Sequence, residues 1–428
     1  MLVLNNMDYQ NNLEFAKALD SKDTLKHYRQ QFHFPKDKEG NIKLYFCGNS
    51  LGLQPVNIEK YVDEVLIDWK KLGVDGHTEA KYPWLPYHEF LSKPMSKIVG
   101  AKESEVIIMN TLSVNLHLMM VSFYKPTAQK RKILIEADAF PSDVYAVQSQ
   151  LRFHGFDIDK DLILWKPNQN GYYETSDFDQ LIERYKDELA LVLIGNTNYY
   201  TGQFFDMKHI TSKCQQNDII IGFDLAHGVG NIQPNLHHRG VDFAVWCTYK
   251  YLNSGPGSLG GCFVHEKHHK VKDIPRFEGW WGHDKSTRFN MRQSFNPIES
   301  AEAWQLSNPP ILSMAAVRAS LDLFDEAGFE NILRKSKSLT GYLEFLLKDL
   351  KDNQIKILTP ANPDERGCQL SIQFLDSDKT LFDKLSNEGV VADWREPQVI
   401  RIAPAPLYNS YQDVFNFVEL VKKIRNAK

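Results

Sequence analysis

The sequence predicts an α/β protein, with a mainly parallel, seven-stranded sheet in a large domain and a small α+β domain at the C-terminus. The first observation is that short apolar segments alternate with helical patterns from about residue 56 to residue 269. This alternation is typical of parallel strands whose connecting helices cover both faces of a sheet. The second observation is the run Ser307–Pro310, whose two prolines interrupt the pattern before a different alternation begins.

These breaks divide the chain into three predicted parts. Residues 1–55 form an N-terminal segment that packs with the small domain, residues 56–310 form the large domain, and residues 311–428 form the small domain. The N-terminal segment opens with a polar, charged helical pattern over Leu13–Phe32 and continues with a short strand, Lys43–Phe46. No repeat, low-complexity tract or flexible linker is evident in the sequence.

The strands expected in the large-domain sheet are short apolar runs of the buried type. They are Val106–Met109, Lys132–Glu136, Leu162–Trp165, Leu189–Ile194, Asp218–Phe223, Val241–Trp246 and Gly261–His265. Doubly wound folds bind ligands at the carboxyl ends of their strands, so we expect the functional residues there.

The small domain begins with a long amphipathic pattern over Ile311–Leu350. Shorter elements follow it in the order strand, strand, helix, strand, helix, which suits a compact α+β unit. They are Ile355–Leu358, Gln369–Phe374, Lys379–Asn387, Val399–Ala403 and Gln412–Asn426.

Composition and charge favour an enzyme that acts on small molecules in the cytoplasm. The 428 residues include 50 Lys and Arg against 54 Asp and Glu, so a net charge of −4 gives no general attraction to nucleic acid or anionic lipid. The five cysteines contain no CxxC pair, which fits reduced thiols. We also expect no membrane partner, because no uncharged apolar run approaches membrane length and the start lacks a signal-peptide pattern.

Two charged residues at the ends of apolar strands indicate a shared site. Lys250 ends an apolar stretch and Asp224 ends another, with His227 three residues later. Burying a charged side chain in such a place costs desolvation energy. A catalytic role would explain why a charged residue is found there. In pyridoxal phosphate enzymes a lysine forms a Schiff base and a carboxylate keeps the ring nitrogen protonated, and this pair could supply both roles. A buried ion pair between strand ends is the alternative.

Two helix starts follow predicted strands at the expected ligand-binding edge. The run Asn110–Asn115 opens a helix with Thr111 as a candidate N-cap, and free amides at such an N-terminus bind phosphate well. The run Phe140–Asp143 sits in the same relation to the next strand, where an aromatic ring, a proline and a polar cap could face a planar cofactor. Each run also reads as an ordinary capped helix start.

Two motif matches fail on context, and we expect no metal site. The run Gly255–Gly260 matches GxGxxG but leads into a strand, whereas the dinucleotide fingerprint requires a following helix. The run His265–His269 matches HExxH but lacks the amphipathic helix of a zinc protease, so surface charge explains it better.

Three further features could belong to a substrate site. Arg401 lies within an apolar strand, where its guanidinium needs a carboxylate from a substrate or from an internal salt bridge. The run Gly279–His283 crowds two indoles and an imidazole between glycines, which suits a pocket for an aromatic substrate or an interface. His77, beside Gly76, has the same two interpretations.

The motifs taken together closely resemble kynureninase, a pyridoxal-phosphate hydrolase of fold type I in the class V aminotransferase group. The resemblance runs in order from about Cys47 to near the C-terminus. It rests on FPSD (Phe140–Asp143), YYTGQ (Tyr199–Gln203), GFDLAHGVGN (Gly222–Asn231), VDFAVWCTYKYLNSGPG (Val241–Gly257), GWWGH (Gly279–His283), SNPPI (Ser307–Ile311) and RIAPAPLYNS (Arg401–Ser410).

The resemblance implies a role for each matched residue. Lys250 would carry pyridoxal 5'-phosphate and act as base, Asp224 would pair with the ring nitrogen, and Tyr249 would be an acid or a phosphate ligand. A serine often found in the family before YTGQ aligns with Gly195, or with Thr197 if the loop shifts by two. The remaining implied cofactor contacts are Leu112, Ser113, Phe140, Pro141, Ser142, Asp143, His227, Trp280 and Asn308, and the implied substrate contacts are His77, Ser307, Asn308 and Arg401.

The implied reaction is hydrolysis of the bond between Cβ and Cγ of L-kynurenine, of 3-hydroxy-L-kynurenine or of both, with a weak preference for kynurenine. It belongs to tryptophan catabolism by the kynurenine pathway or to pyridine nucleotide biosynthesis. A homodimer is implied too, because family sites are completed across a two-fold axis. Two alternatives stay open: another class V activity such as a cysteine desulfurase that uses Cys368, and a catalytically silent binding homologue.

Overall fold

A computed structural model describes residues 9–271, 273–291 and 293–427. Its strands are β1 Phe32–His33, β2 Leu44–Tyr45, β3 Gln54–Pro55, β4 Val106–Met109, β5 Lys132–Glu136, β6 Leu162–Trp165, β7 Leu189–Gly195, β8 Ile220–Asp224, β9 Phe243–Cys247, β10 Gly260–Val264, β11 Ile355–Ile357, β12 Leu370–Phe374, β13 Val390–Val391, β14 Asp393–Arg395 and β15 Val399–Ile402.

The α-helices connect and cover these strands. They are α1 Leu13–Lys22, α2 Ile58–Leu72, α3 Gly76–Glu79, α4 Glu89–Val99, α5 Leu112–Phe123, α6 Pro141–Phe153, α7 Ile158–Asp161, α8 Thr175–Tyr185, α9 Met207–Gln215, α10 Leu236–Arg239, α11 Ile311–Ala327, α12 Phe329–Asp349, α13 Lys379–Asn387 and α14 Tyr411–Asn426.

The main sheet has seven strands in the order β4-β10-β9-β8-β7-β5-β6. Strands β9, β8, β7, β5 and β6 run parallel, whereas β10 is antiparallel to both β9 and β4. The prediction of a mainly parallel, seven-stranded sheet is therefore confirmed. Each predicted strand of the large domain overlaps one observed strand, with ends displaced by two residues at most.

Both faces of the main sheet are buried, which explains why its strands read as continuous apolar runs. Along β9, Ala244 and Trp246 point to one face, where they join side chains of α2, α4 and α11. Phe243 and Val245 point to the other face and pack with side chains of α5 and α6. Successive side chains of a strand point to opposite faces of the sheet, and here both faces are covered by apolar layers.

A second, four-stranded sheet lies in the C-terminal part of the chain, in the order β11-β12-β15-β14. All of its neighbouring strands are antiparallel, and it packs with α12, α13 and α14 around a separate apolar core. The N-terminal segment joins this part, because β2 pairs with β13 and α1 packs against α14.

Two long helical patterns in the sequence are each divided in the structure. The pattern over Ile311–Leu350 forms α11 and α12, which meet at Gly328 with a φ of 74°. A positive φ costs glycine little, so the chain turns there and each helix presents its own apolar face. The pattern over Leu13–Phe32 forms α1 and then a short 3₁₀ helix, Lys26–Gln31.

Close packing at the centre of the main sheet makes Gly222 sensitive to substitution. A Cβ atom at this position would lie 2.1 to 2.5 Å from ring carbons of Phe243 on the neighbouring strand. We expect Gly222→Ala to lower the free energy of unfolding by about 1–3 kcal/mol, because the ring must move within a filled core. Urea unfolding followed by far-UV circular dichroism measures this change.

The double variant Gly222→Ala/Phe243→Leu is the control, compared with Phe243→Leu alone in a double-mutant cycle. If the steric contact is the cause, Gly222→Ala costs less in the Phe243→Leu background than in the wild type. An equal cost in both backgrounds would contradict this explanation.

Candidate active site

A cavity of about 280 Å³ opens at the carboxyl edge of the main sheet, where ligands bind in doubly wound folds. Strands β5, β7 and β8 end there on Glu136, Gly195 and Asp224, and the chain after β9 brings Tyr249 and Lys250 to the same place. The residues singled out in the sequence that line this cavity are Leu112, Ser113, Phe140, Ser142, Asp143, Asp224, His227, Tyr249, Lys250 and Arg401.

Lys250 and His227 face one another in the cavity. The Nζ atom of Lys250 lies 3.1 Å from Nε2 of His227. Burial, together with the positive charge of Lys250, holds the pKa of His227 well below its usual range. The imidazole is therefore neutral at physiological pH, and its Nε2 accepts a hydrogen bond from the lysine.

Asp224 and Asp143 form a coupled pair of buried carboxyl groups. One oxygen of Asp224 accepts a 2.6 Å hydrogen bond from the backbone N–H of Ala226. Burial raises the pKa of Asp224, whereas this N–H, the charge of Lys250 and a hydrogen bond with Asp143 lower it. Burial and the charge of Asp224 raise the pKa of Asp143 much further. Asp143 is therefore the protonated member of the pair, and its O–H donates a hydrogen bond to the Asp224 carboxylate.

Two helix N-termini border the cavity. Helix α5 begins after Thr111, whose extended backbone suits an N-cap although its side chain makes no capping hydrogen bond. The first residues of α5, Leu112 and Ser113, line the cavity, so the free amides of this turn can bind an anion such as phosphate. Helix α6 begins at Pro141, with Phe140 as its N-cap residue.

These surroundings fit pyridoxal phosphate. The α5 N-terminus can take the phosphate, Lys250 the aldehyde, and the Asp224 carboxylate the ring nitrogen. Phe140 is 47% exposed, so its ring is accessible for stacking. Thr197 also lines the cavity, and its buried hydroxyl lacks a hydrogen-bond partner among the described residues, so it is available to a ligand.

Arg401 makes the internal salt bridge that was one interpretation of its place in an apolar strand, and its contact with a substrate stays a prediction. Its guanidinium pairs with Asp393 and donates a 2.6 Å hydrogen bond to the backbone carbonyl of Tyr199, yet it also lines the cavity. Arg395 pairs with the same Asp393 carboxylate at 3.1 Å. Two guanidinium groups around one carboxylate leave a net positive charge, which suits a ligand with its own carboxylate.

Five residues implied by the resemblance do not line this cavity in a single chain, and their roles stay predictions; one is Pro141, the first residue of α6. Ser307 and Asn308 are exposed just before α11, and Nδ1 of His77 lies 2.9 Å from the carbonyl oxygen of Val74. Trp280 is 41% exposed and lines a second cavity of about 260 Å³.

The residues of the HExxH match face separate partners. His265 lies 3.7 Å from Glu105, Nε2 of His269 lies 2.9 Å from the carbonyl oxygen of Val264, and Glu266 pairs with Lys102 at 2.6 Å. Their short 3₁₀ helix cannot direct the two histidines to one ion as an α-helix would. The GxGxxG match leads into β10, as the sequence predicts.

Several lining residues were not singled out in the sequence as site residues. Glu136 carried a usable signal, because it ends an apolar strand as Asp224 does. No sequence signal pointed to Arg395, because its strand, β14, was not among the predicted strands. The others are Asn49, Ser50, Tyr199 and Ala226, of which Tyr199 belongs to the YYTGQ motif.

No helix among the described residues is long and apolar enough to cross a membrane.

Comparisons with solved structures show the fold of pyridoxal phosphate enzymes. A cysteine desulfurase from Thermococcus onnurineus matches with a TM-score of 0.76 and 17% identity, over 90% of this chain and 95% of the other. A variant of the lyase C-DES with glycine linked to its PLP cofactor matches with a TM-score of 0.76 and 15% identity, over 92% and 98%. The predicted fold type is thereby confirmed.

Comparisons by sequence identify the family. The model of the kynureninase C-terminal domain matches residues 332–421. Kynureninase of Myxococcus xanthus is 53% identical over 97% of both chains, and that of Flavobacterium psychrophilum is 52% identical over 97% of this chain and 99% of its own. Kynureninase of Nematostella vectensis is 48% identical over 95% and 93%. With this identity over nearly its whole length, the chain belongs to the kynureninase family.

Proposed function

We propose that this protein hydrolyses the bond between Cβ and Cγ of L-kynurenine, or of 3-hydroxy-L-kynurenine, to give anthranilate or 3-hydroxyanthranilate and L-alanine. The observation that carries the proposal is the convergence of Lys250, Asp224 and Arg401 on one cavity in a member of this family. Together they offer a base, a partner for the cofactor ring and a clamp for an amino acid carboxylate.

The residues that would hold the cofactor come from four places in the fold: the chain after β9, the end of β8, the start of α6 and the start of α5. Lys250 would bind its aldehyde, Asp224 its ring nitrogen, Phe140 its ring face, and the amides of Leu112 and Ser113 its phosphate. When bound, pyridoxal phosphate supplies an electron sink for the carbanions formed at the α- and β-carbons of the substrate. Ser142, Asp143 and His227 complete the contacts within one chain.

The proton transfers fall to Lys250 and Tyr249. Lys250 Nζ takes the substrate Cα proton, and neutral His227 orients that amine without adding a second charge. Water adds to the aryl ketone carbon, the bond from that carbon to Cβ breaks, and Cβ takes a proton. Burial, with a smaller effect of Cys247, raises the pKa of the Tyr249 hydroxyl. Tyr249 therefore keeps its proton at neutral pH and can donate it to Cβ.

A cysteine desulfurase activity has less support, although the solved neighbours include such enzymes. Cys368 is buried in a small cluster with Tyr251 and Ala403. Burial raises the pKa of its thiol to about 12, so the thiolate needed as a nucleophile is scarce at neutral pH. Lys250, Asp224 and Tyr249 are all present, which argues against a silent homologue.

The proposed domain division and location have partial support. The family model of the C-terminal domain falls within residues 311–428, and the pairing of β2 with β13 supports packing of residues 1–55 with that domain. The scattered free thiols suit a cytoplasmic enzyme.

A homodimer is part of the proposal. The segment 277–291 exposes several large apolar side chains, namely Phe277, Trp280, Phe289 and Met291, all more than 40% exposed. A cluster of exposed apolar side chains is unfavourable in water and is typical of a protein–protein interface. A partner subunit would cover this segment and could bring Trp280 and Asn308 to the cofactor site, where one chain does not place them.

Product analysis tests the proposed reaction. The purified protein loaded with pyridoxal phosphate should release anthranilate from L-kynurenine and no sulfide from L-cysteine, measured by fluorescence and by a sulfide assay. Lys250→Ala should abolish anthranilate release, whereas Lys97→Ala, a surface control, should retain it. We expect the specificity constant for kynurenine to exceed that for the 3-hydroxy substrate. Sulfide production without anthranilate would overturn the proposal.

Substitution of Arg401 tests the carboxylate clamp. Arg401→Lys should raise KM for kynurenine about tenfold or more, because an ammonium cannot reproduce the two-pronged contact of a guanidinium. Steady-state kinetics at saturating cofactor separate this effect from a change in kcat. Arg334→Lys on the surface of α12 is the control and should leave both constants unchanged. A near-normal KM for Arg401→Lys would place the clamp elsewhere.

Substitution on the exposed segment tests the dimer. The wild type should run as a dimer in size-exclusion chromatography with light scattering, and Phe289→Asp/Met291→Asp should shift the mass towards the monomer because charge opposes burial. Phe153→Asp, at the equally exposed end of α6, is the control and should leave the dimer intact. A monomeric, active wild type would contradict the homodimer.

A further inference from the structure

We propose that Glu136 is a positioning residue whose own charge acts on the cofactor site beside Asp224, and that glycine at position 195 gives Glu136 the room to do so. The inference deepens the proposed function, because it concerns the same cofactor site. No motif includes Glu136, yet it lines the cavity and is only 4% exposed.

The sheet topology brings these three residues together. Strands β5, β7 and β8 are parallel neighbours, and Glu136, Gly195 and Asp224 are their last residues. Gly195 is the pairing partner of Asp224 across β7 and β8. Glu136 on β5 reaches the same point, because its two carboxylate oxygens accept the N–H of Gly195 at 2.9 and 3.1 Å.

Close approach, and not backbone conformation, explains the glycine. The φ of Gly195 is not in the positive region, so another residue could adopt this backbone. A Cβ atom there would lie 2.9 Å from Oε1 of Glu136, which is closer than packing allows. A serine at this position would therefore displace the carboxyl. The lack of a side chain at position 195 and the position of the Glu136 carboxyl are thus linked.

The charges around Glu136 oppose its ionisation. Asp224 on β8, Asp143 on α6 and Asp138 just after β5 are acidic neighbours, and Tyr173, before α8, also interacts with it. Lys250 is the cation on the Asp224 side of this group. With Lys250 beside it, Asp224 carries the negative charge and Asp143 keeps its proton, so Glu136 is the group of the three that titrates near neutral pH.

Burial raises the pKa of Glu136 from 4.5 to about 7. Glu136 is therefore protonated below neutral pH and ionised above it. Its ionisation places a second negative charge beside Asp224 and alters the electric field at the cofactor ring. Because its pKa is raised in the folded state, the protonated Glu136 carboxyl stabilises the folded protein at low pH. This contribution to the free energy of unfolding is lost as pH rises from 4.5 to about 7.

A spectroscopic titration of the loaded protein without substrate tests the inference. The visible absorbance of the bound cofactor, followed from about pH 5.5 to 9, should contain a component with a midpoint near the pKa of Glu136, about 7. Glu136→Gln keeps the size and a hydrogen-bond acceptor for Gly195 but cannot ionise, so this component should be lost. Glu188→Gln, which removes a carboxyl at the start of β7, is the control and should retain it.

The thermal midpoint, measured as a function of pH, distinguishes ionisation of Glu136 from a general loss of structure in the variant. The thermal midpoint of the wild type should fall more than that of Glu136→Gln as pH rises from about 5 to 7.5, because only the wild type has a buried carboxyl to ionise. Glu136→Asp keeps a titrating group and should show a component with a changed midpoint. A constant difference between wild type and Glu136→Gln at every pH would mean a purely structural role and would overturn the inference.

Substitution of Gly195 completes the test. Gly195→Ser should displace the carboxyl and move the absorbance midpoint, whereas Gly195→Ser/Glu136→Gln should behave as Glu136→Gln alone does. Superimposable titrations of wild type and Glu136→Gln would also overturn the inference. These readouts need no substrate, so failure of anthranilate release would count against the proposed function and leave this result standing.

Discussion

The buried Asp224 carboxyl at the end of β8, with Lys250 in the chain just after the adjacent parallel strand β9, is the feature on which the site depends. A buried carboxylate is costly unless a cation and hydrogen-bond donors face it. Here burial raises the pKa of Asp224, and the N–H of Ala226, the charge of Lys250 and the hydrogen bond with Asp143 offset part of that effect. Asp143 then keeps its proton, because burial and the charge of Asp224 raise its pKa well above the usual range.

The rigidity of this arrangement comes from the main sheet. Both faces of β8 and β9 are covered by apolar layers, so the ends of these strands cannot move independently. Glycines at Gly195 and Gly222 mark places where another group approaches the backbone too closely for a side chain. Gly195 leaves room for the Glu136 carboxyl in the cavity, and Gly222 leaves room for the Phe243 ring in the core.

The substrate side of the cavity has a different construction. Arg401 comes from the small sheet and Tyr199 from the loop after β7, so the two sheets meet across the cavity. Asp393 holds Arg401 and Arg395 together while neutralising only one of them. The exposed apolar segment 277–291 lies apart from this cavity in one chain, and the proposed dimer would join the two regions.

The sequence by itself determined the strands of the main sheet, their mainly parallel order and the residues Asp224 and Lys250. These follow from local patterns, because a buried strand is a continuous apolar run and a charge at its end is conspicuous. Local patterns also singled out Phe140 and Arg401, and the motif resemblance gave each of them a role. Only the tertiary structure decided that Arg395 belongs to the cavity, that Glu136 meets the backbone of Gly195 there, and that Trp280 does not line the cavity within one chain. Such facts depend on which strand ends and loops become neighbours, and side-chain contacts between distant segments leave no periodic trace in the sequence.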